Sequence, residues 1–258
     1  MSFDLEGQSI LITGAAGKIG SSIALQALKA KAKVVISDVS KDRLLILHEN
    51  LSNNYENKVH AVHADASTVD GINYLIQESL NKAEKLTGAV HSAYPTSKGW
   101  GDRFENLKAE NLYQDLSLQL GGAILFSQTI LRLFEKQKQG NLIHISSIQG
   151  VQAPKFEHYE GTEMTSPIEY CAIKSGLIGI TKWLAKYYHS KNIRINCVSP
   201  GGILDCQPES FLEKYRKSCT NIGMLSPEHV SNGVVFLLSP AANAINGQNL
   251  VIDDGWSL

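Results

Sequence analysis

The sequence contains little cysteine, no excess of either charge and no extended apolar run. Its four cysteines, Cys171, Cys197, Cys206 and Cys219, form no C-x-x-C pair. This usage predicts buried, reduced thiols, and it excludes a disulfide framework and a cysteine-based metal site. The formal net charge of -1 and the scattered Lys and Arg residues argue against a nucleic-acid partner, which would favour a basic stripe.

Targeting segments are also missing from the sequence. The first residues, Met-Ser-Phe-Asp-Leu-Glu, lack the basic segment and apolar core of a secretory signal. No apolar run is long enough to predict a helix that spans a bilayer. We therefore expect no membrane partner and a cytoplasmic location. The length of 258 residues is one that α/β folds reach as one domain, so we expect a single domain over residues 1–258.

Short apolar runs alternate with segments of helical apolar spacing along the whole chain. This alternation predicts an α/β fold with a mainly parallel sheet covered by helices on both faces. The stretch Gln152–Pro167 has no clear periodicity, which is typical of either a functional segment or a surface excursion. The predicted strands are Ser9–Thr13, Lys33–Ser37, Val59–Ala64, Ala89–Ser92, Asn141–Ser146, Arg194–Val198 and Asn249–Ile252.

A glycine-rich loop follows the first predicted strand. The segment is Thr13-Gly14-Ala15-Ala16-Gly17-Lys18-Ile19-Gly20. Glycines between a strand and a helix let the backbone approach a pyrophosphate, and the amino end of the helix favours its negative charge. The position of the loop therefore predicts that it binds the phosphates of a dinucleotide.

An acidic residue, Asp38, ends the second predicted strand, 38 − 20 = 18 residues after Gly20. A carboxylate there can accept both hydroxyls of an adenosine ribose and would repel a 2′-phosphate, which favours NAD(H) over NADP(H). Two alternatives remain open: Lys18 could reach a 2′-phosphate, and Asp38 could be a helix N-cap without any nucleotide. Asp65, after the third strand, either accepts from the adenine amino group or caps the next helix.

Three side chains form a candidate proton-handling group. Ser147 follows the fifth predicted strand, and Tyr170 and Lys174 lie four apart at the start of an apolar helix, so they share one face. A free tyrosine has a pKa near 10, which a neighbouring ammonium lowers. Tyr170 would then exchange a proton with a substrate oxygen that Ser147 orients. A Tyr–Lys pair alone is typical of any helix surface; the order of loop, acid, Ser, Tyr and Lys favours catalysis.

These motifs, in this order, resemble the short-chain dehydrogenase/reductase family over nearly the full length. Ser147, Tyr170 and Lys174 fall at the family's catalytic positions, and Asn196–Gly201 resembles its segment beside the nicotinamide. The resemblance implies a three-layer Rossmann fold with a seven-stranded sheet, and a homodimer or homotetramer formed through the helices near Ala109–Gln137 and Ile168–Ser190. The cofactor contacts that it implies are Gly14, Gly17, Lys18, Ile19, Gly20, Asp38, Asp65, Ala66, Ser92, Ala93, Tyr170, Lys174, Pro200, Gly201 and Ile203.

The sequence departs from the family pattern in four places. Lys18 stands where the short members place their middle glycine, so the loop has the glycine spacing of longer members, many of which act on nucleotide sugars. His91-Ser92-Ala93-Tyr94 replaces Asn-Asn-Ala-Gly, and Gln119 aligns with the asparagine that holds a proton-relay water. Ser147 and Tyr170 are 170 − 147 = 23 residues apart, where the family has about a dozen; the extra residues lie in Gln152–Pro167.

The insert Gln152–Pro167 and its surroundings suggest the substrate class. It contains His158-Tyr159-Glu160-Gly161-Thr162-Glu163, whose polar, acidic character suits a hydroxylated ligand. With the Tyr94-Pro95 stretch, it resembles family members found with bacterial flagellin-glycosylation and surface-sugar genes. The predicted substrate contacts are Tyr94, Gln149, His158 and Tyr159.

The sequence predicts an NAD(H)-dependent oxidoreductase that interconverts a secondary alcohol and a ketone on a small polar substrate. The predicted substrate is a sugar derivative of a bacterial flagellin-modification or surface-glycan pathway. NADP(H) is the alternative cofactor, and no metal is expected. Two other functions remain open. One is a nucleotide-sugar epimerase or dehydratase with tightly held NAD, although the chain leaves little room for a separate sugar-nucleotide domain. The other is a non-catalytic nucleotide-binding regulatory protein.

Overall fold

A computed structural model describes residues 3–258 and shows a seven-stranded sheet in which every neighbouring pair of strands is parallel. Met1 and Ser2, the first two residues of the segment that lacks a secretory signal, lie outside the described residues. The strand order is β3-β2-β1-β4-β5-β6-β7. The strands are β1 Ser9–Thr13, β2 Lys33–Asp38, β3 Val59–His63, β4 Gly88–His91, β5 Gly140–Ile145, β6 Ile193–Pro200 and β7 Asn249–Ile252.

Helices cover both faces of the sheet, as the three-layer prediction required. One apolar core joins the sheet to α1, α2 and α8, and a second joins it to α3, α5 and α6. The helices are α1 Lys18–Lys29, α2 Lys41–Tyr55, α3 Val69–Ala83, α4 Ala109–Asp115, α5 Gly122–Gln137, α6 Ile168–Tyr187, α7 Glu209–Lys217 and α8 Pro227–Leu238. The predicted seven-stranded Rossmann arrangement is confirmed.

The helical run Ala109–Gln137 differs from the prediction in two ways. It is interrupted by a π-helical segment, Leu116–Gly121, between α4 and α5. It is also long and apolar enough, by length and composition, to cross a membrane, although no such run was expected from the sequence. Phe126, Ile130 and Phe134 of α5 are nevertheless fully buried in the core beside the sheet, which accounts for the apolar composition of this helix.

The cysteines are unbridged, as predicted, but they are not uniformly buried. Cys197 on β6 is buried, Cys171 and Cys219 are partly buried, and Cys206 is exposed. Cys206 lies between β6 and α7, where the chain leaves the sheet and no helix covers it. The expectation of buried thiols is therefore wrong for Cys206.

The order of the strands fixes where a ligand can bind. From β1 the chain builds outward through β2 and β3, and it then returns to the other side of β1 with β4. Ligands of open α/β sheets bind beyond the carboxyl ends of the strands at such a reversal. The glycine loop after β1, Ser92–Tyr94 after β4 and Ser147 after β5 all lie at this edge.

Candidate active site

The glycine loop combines close packing with one open side. Gly14 has φ +62°, and a Cβ there would lie 2.5 Å from the Ser92 carbonyl oxygen, while a Cβ on Gly20 would collide with the Gly14 backbone. A Cβ on Gly17 would have only the Gly14 carbonyl oxygen nearby, at 3.3 Å. Because α1 begins after Gly17 without a side-chain cap, its first N–H groups are available to an anion. This side of the loop therefore fits a pyrophosphate.

A pocket of about 250 Å³ lies beside the glycine loop and is called here the glycine-loop pocket. It extends from the ends of β1 and β4 to the ends of β2 and β3, and it includes eight residues predicted from the sequence to contact cofactor or substrate. These are Gly14, Gly17, Asp38, Asp65, Ala66, Ser92, Ala93 and Tyr94. The size and the lining suit the adenosine half of a dinucleotide.

Asp38 connects the glycine loop to the start of α2. Its Oδ2 accepts from the Ala16 N–H at 3.0 Å, its Oδ1 accepts from the Ser40 N–H at 2.9 Å, and the Arg43 guanidinium lies 3.8 Å from Oδ1. Ser40, not Asp38, occupies the N-cap position of α2, so the interpretation of Asp38 as that cap is wrong. A carboxylate offers about four acceptor sites, which leaves capacity for ribose hydroxyls.

Asp65 stabilises the turn before α3. Its Oδ1 accepts from the Ser67 N–H at 2.9 Å and from the Ser67 hydroxyl at 2.6 Å. Thr68 is the N-cap of α3, and its side chain accepts from the Gly71 N–H. Asp65 is therefore not the cap of this helix, and it lines the glycine-loop pocket where an adenine amino group is expected.

Lys18 does not line the glycine-loop pocket beside Asp38. Its ammonium forms an ion pair with Asp205, in the segment after β6, and both side chains are about half exposed. The cation beside Asp38 is Arg43 instead, which the sequence analysis missed. Its only sequence signal is its place in the first turn of α2, five residues after Asp38.

Ser147, Tyr170 and Lys174 lie together at the edge of the sheet, and all three are buried or nearly so. Ser147 follows β5, and its Oγ accepts from the Gln149 N–H at 3.2 Å. Tyr170 lies in the first turn of α6, one turn before Lys174. The Lys174 Nζ donates to the Ile145 carbonyl at 3.0 Å and lies 5.5 Å from the centroid of the Tyr170 ring.

Burial changes the pKa values of this group. It lowers the pKa of Lys174 to about 8, because the ammonium is removed from water. It raises the pKa of Tyr170, and a hydrogen bond with Ser147 opposes that rise. Tyr170 is therefore protonated at neutral pH in the protein without cofactor, beside an ammonium that stabilises its phenolate.

His91 has a structural role where the family has an asparagine. The Thr13 Oγ1 accepts from the Ser92 and Ala93 N–H groups at 3.2 and 3.3 Å. Both lone pairs of the hydroxyl are then used, so its proton points to the His91 Nδ1 at 3.1 Å. Burial lowers the pKa of His91 to about 3. His91 is thus a neutral link between β4 and β1.

A second pocket of about 240 Å³, called here the inner pocket, opens beside Ser147 and Tyr170. It contains the predicted residues Ile19, Ser147, Gln149, His158, Tyr159, Tyr170, Pro200, Gly201 and Ile203. Its remaining walls come from α7, the segments on either side of α7 and the last turn of the chain, and they were not predicted from the sequence. They include Gln207, Phe211, Tyr215, Met224 and Trp256.

The predicted substrate residues His158 and Tyr159 of the insert, and Gln149 before it, are held by contacts within the protein. Gln149 donates from Nε2 to the Tyr159 hydroxyl at 3.3 Å, and its Oε1 accepts from the Ser166 hydroxyl at 2.6 Å. The buried His158 ring lies 3.0 Å from the Ser218 hydroxyl. These residues line the inner pocket, and their contact with a substrate stays a prediction.

The insert is attached to the elements that close the inner pocket. Lys155 donates to the Trp256 carbonyl at 3.1 Å. From α7, Lys214 donates to the carbonyls of Glu157 and Glu160, both at 2.9 Å. The polar segment between Ser147 and Tyr170 is therefore one wall of the site, as its sequence position indicated.

Gln119 lies in the π-helical segment and is buried. Within residues 3–258, neither polar atom of its side chain has a hydrogen-bond partner. Buried amides are normally satisfied by protein or by an ordered water, and such a water is what the family's asparagine holds. Gln119 is not among the catalytic residues predicted from the sequence.

Comparisons with known proteins agree with this geometry. A family model described as enoyl-(acyl carrier protein) reductase matches residues 14–257. The chain is 41% identical over 255 residues to the post-translational flagellin modification protein A of Campylobacter coli, covering 98% of this chain and 100% of that protein. It is 30% identical over 259 residues to the 3-oxoacyl-[acyl-carrier-protein] reductase FabG of Aquifex aeolicus, covering 99% of each.

A solved structure extends the comparison to the fold. A short chain dehydrogenase from Leptospira borgpetersenii with bound NAD+ superimposes with a TM-score of 0.86 at 28% identity, covering 99% of this chain and 94% of that one. The similarity spans the whole sheet and both pockets.

Proposed function

Because the chain belongs to the short-chain dehydrogenase/reductase family of oxidoreductases, we propose that it interconverts a secondary alcohol and a ketone on a small polar substrate, with NAD(H) as cofactor and Tyr170 as the acid and base. The observation that supports this most is the meeting of Ser147, Tyr170 and Lys174 beside the inner pocket, where Tyr170 also contacts the Tyr94 ring of the glycine-loop pocket. An oxidoreductase needs its proton donor where cofactor and substrate meet.

The side chains divide the proton chemistry among them. A bound nicotinamide supplies or accepts the hydride. In the reducing direction, Tyr170 gives its proton to the substrate oxygen, which the Ser147 hydroxyl orients. The Lys174 ammonium, 5.5 Å from the centroid of the Tyr170 ring, stabilises the phenolate that this transfer leaves. Since burial keeps Tyr170 protonated at neutral pH, its hydroxyl is in the state that can donate a proton in the reducing direction.

Replacing Tyr170 by Phe tests the mechanism. The ring and its packing remain, while the transferable proton is lost, so we expect turnover to fall by roughly 10³-fold or more with NADH binding retained. Turnover at the wild-type rate would refute the mechanism. Retained NADH binding with no turnover by the wild-type protein on any ketone would instead support the non-catalytic alternative.

The choice of cofactor depends on Asp38 and Arg43. The carboxylate lies where ribose hydroxyls are expected, and it also holds the Arg43 guanidinium that would otherwise meet a 2′-phosphate. Fluorescence titration should give tighter binding of NADH than of NADPH. Asp38→Ser should reverse the order, and the added change Arg43→Met should remove the gained NADPH affinity. Tighter NADPH binding by the wild type would overturn the proposal.

The proposed substrate is a sugar derivative of a flagellin-modification or surface-glycan pathway. Two observations support it: the 41% identical relative is a flagellin modification protein, and the inner pocket combines aromatic rings with amide and imidazole groups. Following cofactor absorbance with keto-hexose derivatives, nucleotide-sugar ketones and a 3-oxoacyl thioester compares the candidates. Preference for the thioester would overturn this assignment. Conversion of a nucleotide sugar without net oxidation or reduction of NAD would support the epimerase or dehydratase alternative.

A further inference from the structure

Lys174 carries a buried positive charge with few partners. Its side chain is 7% exposed, and its Nζ donates to one acceptor, the Ile145 carbonyl. Throughout residues 3–258, no carboxylate forms an ion pair with it. A buried charge is costly unless other groups stabilise it. Groups near Lys174 must therefore stabilise its positive charge.

The titratable groups packed around Lys174 supply no negative charge. His91 on β4 is neutral, with a pKa lowered by burial to about 3. Cys197 on β6 stays a thiol, because burial raises its pKa to about 12. Tyr170 on α6 is protonated, since burial raises its pKa. The remaining neighbour is Tyr94, in the segment after β4.

The ring of Tyr94 lies against the Lys174 ammonium. The Nζ is 5.2 Å from the ring centroid, closer than it is to the Tyr170 ring at 5.5 Å. The ring of Tyr94 is fixed by edge-to-face contacts with Trp100, at 5.4 Å and 86°, and with Tyr170, at 5.8 Å and 88°. A cation within about 6 Å of a ring centroid is attracted by the negative face of the ring.

We propose that Tyr94 is a positioning residue that stabilises Lys174 as an ammonium through the face of its ring, and that it thereby sets the proton affinity of Tyr170. The first half of this inference concerns the chain alone; the second rests on the proposed function. Tyr94 then acts through Lys174, in addition to any contact with substrate. Its position explains why a large aromatic residue stands here in place of glycine.

A series of fluorinated phenylalanines at position 94 tests the contact. Each fluorine weakens the negative face of the ring while the shape stays nearly constant. The readout is the titration of the Lys174 side-chain carbon by NMR in protein without cofactor, with the resonance assigned from Lys174→Met. In Tyr94→Phe, we expect Lys174 to titrate near the wild-type value of about 8. As fluorines are added to the ring, the titration midpoint of Lys174 should fall progressively, by roughly 0.5–1 pH unit over the whole series.

Two outcomes separate the alternatives. A midpoint that stays constant across the series overturns the proposal. The same series at Phe104, an exposed ring, is the matched control and should leave Lys174 unchanged. If the NMR midpoint falls but the alkaline limb of the kcat/KM profile does not move with it, the contact stands and the proposed role of Lys174 in catalysis fails.

Discussion

Among single residues, Lys174 carries an electrostatic cost at neutral pH, because its charge is buried. Burial lowers its pKa from 10.5 to about 8, so between these pH values the unfolded chain binds more protons than the folded one. The folded state is therefore penalised in full below pH 8, and the penalty disappears as the pH rises towards 10.5. Such a cost is typical of a group retained for function.

Replacing Lys174 by Met should make the protein more stable and inactive. The variant keeps the length of the side chain and removes the buried charge, so we expect unfolding at pH 7 to cost up to ~3 kcal/mol more than in the wild type. Denaturant titrations should show that this difference shrinks between pH 8 and 10.5. A variant that is less stable than the wild type at pH 7 would contradict the assigned cost.

The role of Gln119 can be tested by measuring both the stability and the turnover of variants at this position. Gln119→Leu removes two buried polar atoms that have no partner within residues 3–258. If the amide holds no water, stability should rise by about 1 kcal/mol with turnover unchanged. We expect the opposite, a 10-fold or larger fall in kcat with little gain in Tm, because the side chain occupies the relay position. Gln119→Asn should retain most of the activity.

The residues that the sequence identified are those whose role follows from a local motif. Gly14 has a positive φ and Gly20 packs against the Gly14 backbone, and Tyr170 and Lys174 share a face because they are one helical turn apart. Trp256 was missed for the opposite reason. Trp256 reaches the inner pocket through tertiary contacts, such as its carbonyl with Lys155, 101 residues away, and no local pattern marks such a contact.

Among the secondary-structure elements, the strands were predicted most closely. Each predicted strand is present, with ends that differ by two residues or fewer, because strands such as Ser9–Thr13 are buried throughout and have a continuous apolar centre. The π-helical segment Leu116–Gly121 was not predicted. Its hydrogen bonds join residues five apart instead of four, and this change hardly alters the spacing of the apolar residues. It is nonetheless the segment that positions Gln119.

The insert and α7 form one wall, and Lys214 is one of the side chains that join them. Its two bonds to backbone carbonyls, at 2.9 Å, are lost in Lys214→Met. We expect faster amide hydrogen exchange over residues 156–163 and a KM raised about 10-fold, because charged hydrogen bonds contribute roughly 1.5–3 kcal/mol. The kcat should change little, since Ser147 and Tyr170 do not depend on this contact.

Lys217 provides the control for this change. It is on the same helix but exposed, so Lys217→Met removes an equal charge without releasing the insert. It should leave both the exchange rates and the KM unchanged. Equal effects of the two variants would show that the charge of α7, and not the attachment of the insert, determines binding.

At the scale of the whole molecule, the remaining prediction concerns assembly. Two helices that pack on the same face of the sheet expose large apolar side chains. On α6, Trp183 and Tyr187 are 61% and 64% exposed and stack at 4.9 Å, and on α5 Ile124 and Leu125 are 47% and 36% exposed. Clustered exposed apolar surface marks interaction sites, and these are the helices from which we expected a homodimer or homotetramer.

Introducing a charge on this surface should separate the subunits. Light scattering coupled to size exclusion should give a dimer or tetramer for the wild type and the monomer mass for Trp183→Glu, because a carboxylate in a buried interface costs several kcal/mol. Ile46→Glu is the matched control: Ile46 is 59% exposed on α2, which packs on the opposite face of the sheet. A monomeric wild type would refute the prediction, and equal dissociation by both variants would place the interface elsewhere.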